Sequence, residues 1–371
     1  MNYANHKFDD TQLVLDQLGT RTAFIFVTAI IGGHESMAIN IIKKFNENCT
    51  IDSFIPSKNE SLKKAFALNH LSYQLHNVNH KKGEIVQSFF NFSYRKKAEK
   101  LLLELNEQYN SLVIIQGDIE QGSIFLLMAN KLNINVISYI PYTHSFREMG
   151  SKFWMIKDFL SPWVYRSCQN YITIARVFKE KLKAYNPKAN IFILENFILK
   201  KVDLNSHSLT KYDSQTINLF IIGRIIFSQK GHDILVKSLS RIEPDFPSGK
   251  TISLHIVGNG PDLEKLKSMV ANELKKTKVI FYGWVNNVWE LDVLPDLVIM
   301  PSRFEGVPLV MLESLQYHIP VLSSARDGML DYLPESHLFS GKNDQERINN
   351  LALLLKSFLS GRININPSTK L

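Results

Sequence analysis

The sequence predicts an α/β protein of two doubly wound parallel-sheet domains facing a central cleft. Three observations predict it. Short apolar runs rich in branched residues recur from end to end, and helical patterns separate most of them. The chain, 371 residues at 45% hydrophobic, also exceeds what one ordinary core holds, so two domains are expected. Strands buried on both faces read as continuous apolar runs, and crossover helices make their sheet parallel.

Taken in order, strands are expected at AFIFVTA (23–29), TIDSFI (50–55), SLVIIQG (111–117), NVISYIP (135–141), NYITIA (170–175) and NIFILEN (190–196). Helices are expected at ESMAINIIKKF (35–45) and SYRKKAEKLLLELNEQY (93–109). The second half repeats the theme with INLFIIG (217–223), SLHIVG (253–258), VIFYGW (279–284), LVIMPS (297–302) and PVLSS (320–324). Between the halves, LKKVDLNSHSLTKYDSQT (199–216) is polar and aperiodic and reads as a linker. The domains are therefore expected at 1–198 and 217–371. No repeat of fixed period and no low-complexity tract is present.

Residues 1–200 hold 24 Lys+Arg against 17 Asp+Glu, whereas residues 201–371 hold 19 against 18. A basic half beside a neutral half suits a partner that is anionic, a membrane or a nucleic acid, although solvated surface charge gives the same imbalance. The opening MNYANHKFDDTQ lacks a charged-then-apolar leader, and no apolar run reaches the ~20 residues of a membrane span. Cys49 and Cys168 are too few and too far apart for a disulfide framework or zinc ribbon and read as buried thiols. A cytoplasmic protein is expected.

In doubly wound sheets ligands gather beyond the carboxyl ends of the strands, so the loops there carry the chemistry. After the first strand, Gly32 and Gly33 in IIGGHE open a helix whose start could receive a ligand, although a Gly-Gly pair is often a plain turn. In GRIIFSQKGHDIL (223–235), Arg224 leaves a strand end and Lys230 stands at the entrance of the next helix. Two cations and a helix start meet the needs of a pyrophosphate; two solvated loop cations fit the pattern equally. Gly258 in HIVGNGPDL offers close backbone approach, or merely a tight turn. The backbone at Val285, after Gly283-Trp284, could read the edge of a base.

PSRFEGVPLVMLESL (301–315) is the most informative stretch. Pro308 suits the first position of a helix, so Glu305 precedes that helix and Glu313 lies inside it. At 1.5 Å per residue Glu313 sits well along the axis, so both glutamates cannot be caps. Phosphate at the free amides and hydroxyls at the two carboxylates would describe a nucleotide-sugar cradle. A dipole-favoured glutamate plus a solvent glutamate is the plainer alternative.

Taken together, GGHE, GR…QKGH, HIVGNGP, YGWV and PSRFEGVPLVMLE resemble the family 4 glycosyltransferases of the GT-B fold, two Rossmann-like domains facing a cleft. The resemblance is dense over 217–335 and thinner over 22–198. It implies that Glu305 meets the donor hexose and Glu313 the ribose, with Arg224 and Lys230 holding the diphosphate. Backbone at Gly306, Val307, Leu309 and Val310 is implied to contribute, Pro308 having no amide. His144 in YTHS is implied to face the transferred sugar, though taken by itself a structural histidine is as good a reading; Asn196 in ILENF matches the step into the linker.

The implied reaction is retaining transfer of a hexosyl unit from a UDP- or GDP-linked sugar to a glycan or lipid-linked acceptor in polysaccharide biosynthesis. The catalytic set would be Glu305, Arg224, Lys230 and His144. No cofactor is expected, and no metal, since the chain has no Asp-x-Asp pair. Nucleic acid is not an expected partner. An anionic membrane surface is, because 79–100 and 147–166 interleave cations with aromatics, Trp154 and Trp163 among them. Peripheral attachment to the inner face of the cell membrane would follow. The sequence departs from the pattern at Asp327-Gly328, where two glycines are common, at Asp331 in place of glutamate and at His318 in place of glycine. The chain after Glu346 is also short for the family's usual returning helix. Two rival readings stand beside this one: a sugar-nucleotide epimerase using Asp118 and Glu120 as acid and base, and a non-catalytic module binding anionic lipid or nucleic acid.

Overall fold

The computed structural model describes residues 10–199 and 215–362. Most of the linker stretch therefore lies outside the described residues. Contacts divide the chain into two units, Met1–Leu199 and Lys200–Leu371.

In the first unit the strands are β1 (Arg21–Phe26), β2 (Thr50–Pro56), β3 (Gln74–His76), β4 (Ser111–Ile115), β5 (Val136–Tyr139), β6 (Asn170–Thr173) and β7 (Asn190–Ile193). They form one parallel sheet in the order β3-β2-β1-β4-β5-β6-β7. The second unit holds β8 (Thr216–Ile222), β9 (Thr251–Val257), β10 (Lys278–Gly283), β11 (Leu297–Met300), β12 (Val321–Ser324) and β13 (Leu338–Phe339). Their order is β10-β9-β8-β11-β12-β13, again parallel throughout. The winding reverses between β1 and β4 and between β8 and β11. Those are the switch points at which a doubly wound sheet opens a crevice beyond its strand ends.

All eleven expected strands form. The structure adds β3 and β13, both short edge strands. The central strands are buried along nearly their whole length, as the apolar runs require: Leu112, Val113, Ile114 and Ile115 in β4, and Leu297, Val298, Ile299 and Met300 in β11. The helix Gly33–Phe45 turns Met37, Ile41, Ile42 and Phe45 inward at helical spacing. The helix Asp344–Leu359 does the same with Ile348, Leu351, Ala352, Leu355 and Leu359, and Asn343 caps it by accepting from the Glu346 amide at 2.9 Å. Each unit thus has its own core. Cys49 and Cys168 are buried free thiols. Among the described residues no helix is long and apolar enough to cross a membrane.

Candidate active site

The second unit assembles most of the expected residues at its switch point. β8 ends at Ile222 and is followed by Gly223, which packs beside the Lys230 side chain and whose φ of 145° would strain any other residue. Arg224 follows, exposed, and its guanidinium has no partner among the described residues. One helical turn, Phe227–Lys230, then brings Lys230 back over the strand end. Gly231, at φ 68° and with its α-carbon against the Pro301 carbonyl, lets this loop press directly on the loop that leaves β11.

Across that contact the Lys230 ammonium lies 2.5 Å from Glu305 Oε1. Glu305 is only 5% exposed, so its charge must be met locally. Ser302 Oγ donates to the same oxygen at 2.9 Å. The Glu305 amide donates to Asp327 Oδ2 at 2.9 Å. Asp327 replaces a glycine of the resembled pattern, yet it takes the left-handed backbone a glycine would supply, at φ 48°. Its carboxylate also anchors the Glu305 backbone, so this departure supports the site.

Pro308 caps the following helix from outside, with ψ 128°, and is not its first residue. Its carbonyl receives the Met311 and Leu312 amides at 3.1 and 3.3 Å. The helix is Leu309–Gln316, so the amides of Leu309 and Val310 are its first two, out of reach of any carbonyl one turn earlier. Glu313 lies inside it and accepts from Trp289 Nε1 at 3.0 Å, while Trp289 also packs on Tyr317. Burial pushes the Glu313 carboxyl above its ordinary range, and the indole hydrogen bond opposes that. Neither glutamate is therefore an ordinary cap.

Arg303 is a residue that the sequence reading quoted and left without a role. Its guanidinium grips both oxygens of Asp233 at 2.9 and 2.8 Å, pairs with Asp344 at 2.5 Å and donates to the Phe227 carbonyl. Its amide donates to the Gln229 carbonyl at 2.7 Å. Arg303 thereby fastens the Lys230 turn to the Glu305 loop. His232, next to that turn, is buried, and burial with the Lys230 charge lowers its pKa to about 4, so it stays neutral and adds no cation.

Other expected residues are placed differently. The Gly258 amide is spent on the Gly283 carbonyl at 2.7 Å, and its α-carbon abuts the Gly223 carbonyl, so Gly258 joins loops instead of offering an amide. Val285 is half-buried after Gly283, which takes φ 69°. Gly306 and Val307 are buried, and the Gly306 carbonyl accepts from the Gly328 amide at 3.2 Å.

In the first unit, the Gly32 amide donates to Glu35 Oε2 at 2.7 Å, so it is taken before any ligand arrives. Gly33 remains open, with nothing near the position of a side chain. His144 follows β5 and is 5% exposed, edge-on to Phe178 at 5.6 Å, the packing of a core histidine. The acid–base pair of the epimerase reading is also committed. Asp118 Oδ1 accepts the amides of Glu120 and Gln121 at 2.8 and 3.2 Å, and Glu120 pairs with Lys157 at 2.5 Å. Among the described residues no group of three His, Cys, Asp or Glu side chains is arranged to hold a metal ion.

Comparison with known proteins agrees with this geometry. Residues 205–362 match the family described as Glycosyl transferases group 1. An uncharacterized glycosyltransferase of Haemophilus influenzae is 24% identical over 346 residues, 90% of each chain. Among solved structures, the apo form of the lipopolysaccharide outer core galactosyltransferase WaaB superposes with a TM-score of 0.66 at 21% identity. The match covers 94% of this chain and 93% of WaaB. HepE of Anabaena, in complex with UDP and glucose, superposes at 0.65 with 12% identity over 94% and 97% of the two chains. The fold is GT-B, and the C-terminal unit carries a group 1 glycosyltransferase domain.

Proposed function

We propose that this glycosyltransferase moves a hexosyl unit from a UDP- or GDP-linked sugar to a glycan or lipid-linked glycan in polysaccharide assembly, retaining the anomeric configuration and using no metal. The observation that carries the reading is the Lys230–Glu305 pair, together with Arg224, unpartnered among the described residues, and the first two amides of the helix Leu309–Gln316. Transfer builds charge on the departing diphosphate, and cations and amides already fixed in place lower that barrier without reorganising. Lys230 has three donors, so it can hold Glu305 and a phosphate oxygen together. Glu305 then receives a hexose hydroxyl beside the breaking bond, and Glu313, steadied by Trp289, receives the ribose hydroxyls. The UDP and glucose held by HepE and the lipopolysaccharide substrate of WaaB support the donor and acceptor classes. Retention rests on the family resemblance alone.

Arg224→Ala should weaken UDP or GDP binding about tenfold or more, one charged hydrogen bond being worth roughly 1.5 to 3 kcal/mol. The fold should be unaffected, since Arg224 is exposed and its side chain holds nothing among the described residues. Lys230→Ala should lose affinity as well, and also stability, because it strands the buried Glu305. Calorimetric titration of each variant checks both points, and unchanged affinity in Arg224→Ala refutes the cradle. Turnover should persist in EDTA; activity lost on chelation and restored by magnesium or manganese refutes the metal-free mechanism.

We further propose that the N-terminal unit docks on an anionic membrane from the cytoplasmic side. The helix Trp154–Arg166 leaves Met155, Ile156, Phe159 and Trp163 exposed, and Phe153 ahead of it is 76% exposed. Phe90 and Phe92 are exposed on the helices Glu84–Phe90 and Phe92–Asn106, the first of which packs on Trp154–Arg166. Two cations of the stretches 79–100 and 147–166, Arg95 and Lys157, turn inward to the Phe89 carbonyl and to Glu120. Arg147 over Trp154 and Lys96 over Phe92 stay beside the aromatics. Aromatics with flanking cations suit the headgroup region. The chain should sediment with anionic vesicles at low salt and less at high salt, and Phe159→Asp should abolish it. Equal binding to neutral vesicles, or none to either, refutes docking.

A further inference from the structure

Beyond Glu305 the second unit contains a cavity that the donor cradle does not use. It lies at the carboxyl ends of β12 and β13, has a volume of about 260 Å³, and is lined by Arg326, Asp327, Leu330, Phe339, Gly341 and Arg347, among others. Two guanidiniums border it. The Arg347 side chain is 12% exposed and is tied to the Gly341 carbonyl at 3.3 Å and to Asp344 at 2.9 Å. Asp344 is shared with Arg303. The Arg326 guanidinium has no hydrogen bond or ion pair among the described residues. Burial, followed by the neighbouring Arg326 charge, pushes Arg347 below its ordinary pKa. Asp344 meets the Arg347 charge, whereas Arg326 faces the same small cavity with no counter-charge bonded to it among the described residues, which an entering anion would supply. Asp327 also lines the cavity, but its Oδ2 is committed to the Glu305 amide. Phe339, buried, and Leu330, 47% exposed, give one part of this otherwise polar wall an apolar surface suited to the face of a sugar ring.

We infer that this cavity binds a sugar residue carrying one phosphate or carboxylate group, held by Arg326 and Arg347. Resting on the proposed function, this makes one substrate of the transfer an anionic sugar, since Asp327 joins the cavity to Glu305, the residue placed at the transferred hexose. A planar guanidinium fork meets either oxyanion in two parallel hydrogen bonds.

The test is a thermal-shift titration of the full chain with inorganic phosphate, glucose 6-phosphate, glucuronate and glucose, against potassium chloride of equal ionic strength. Saturating UDP fills the diphosphate cradle first. Glucose 6-phosphate or glucuronate should raise the Tm and glucose should not. Arg326→Gln should bind the anionic sugars about tenfold more weakly or worse, as loss of a charged hydrogen bond requires. Arg326→Lys should retain part of the response. The Arg326 side chain has no hydrogen bond or ion pair to lose among the described residues, so both variants should fold. An undiminished response in Arg326→Gln overturns the inference. So does a response to phosphate alone with both anionic sugars rejected, because the ligand would then be a free anion. Arg224→Ala without nucleotide should keep the wild-type response; its loss there would assign the anion to the diphosphate cradle. Failure of both UDP and GDP to bind would defeat the proposed function yet leave this nucleotide-free measurement standing.

Discussion

Glu305→Ala should lower kcat by about a hundredfold or more while leaving the donor KM nearly unchanged, by analogy with removal of a preorganised polar group at the reacting centre. Glu313→Ala should instead raise the donor KM about tenfold or more with kcat nearly intact, because a ribose contact is the same in ground and transition states. The structure separates the two roles. Glu305 is buried, paired with Lys230, and fixed through its own amide by Asp327, so it can hold a hydroxyl and orient the lysine at once. Glu313 has one described side-chain partner, the Trp289 indole, and lies further along the helix. Trp289→Phe should therefore reproduce part of the Glu313 defect, in KM and not in kcat. Steady-state kinetics with a nucleotide-sugar donor gives kcat and KM for each variant. Equal and purely binding defects in Glu305→Ala and Glu313→Ala would refute the division of labour.

Much of this site could be read from sequence because its residues follow strands, and those strands, such as NLFII and LVIM, are short apolar runs rich in branched residues. LVIM, then SRFEGV, then LVMLES places Glu305 and Glu313 on either side of a helix start with no knowledge of the rest of the molecule. What sequence could not supply were partnerships between distant positions. Arg303 works through Asp233 and Asp344, 70 and 41 residues away, and no local pattern marks it. Gly32 and Gly258 look like ligand loops, and only the folded chain shows that Glu35 and the Gly283 carbonyl take their amides. Asp327 looks like a defect until its positive φ and its bond to the Glu305 amide are seen together. The edge strands β3 and β13, QLH and LF, are too short to carry an alternation.

Arg303→Ala should destabilise the C-terminal unit by up to about 3 kcal/mol, the low end of the range for removing one partner of a buried ion pair, because this pair is part-buried. For a unit of this size that lowers its Tm by roughly 2 to 4 °C per kcal/mol. Arg303 is 18% exposed in its side chain, as is Asp233, so solvent cannot fully replace the lost bonds. Arg303→Lys should recover little, since a single ammonium cannot span both oxygens of Asp233, Asp344 and the Phe227 carbonyl. The effect should shrink in acid. Burial opposes ionisation of Asp344, yet hydrogen bonds and charge from Arg303 and Arg347 hold its carboxyl below the ordinary range. Its contribution is therefore full above the unfolded carboxylate pKa of about 3.9 and is lost as pH falls through the lower folded value. Donor affinity should fall together with stability at neutral pH, because the Lys230 turn is no longer fastened to the Glu305 loop. Thermal unfolding across pH, paired with nucleotide titration below the transition, reads both effects. A variant that melts with the wild type and binds nucleotide normally would show that the loops are held by their glycine contacts alone.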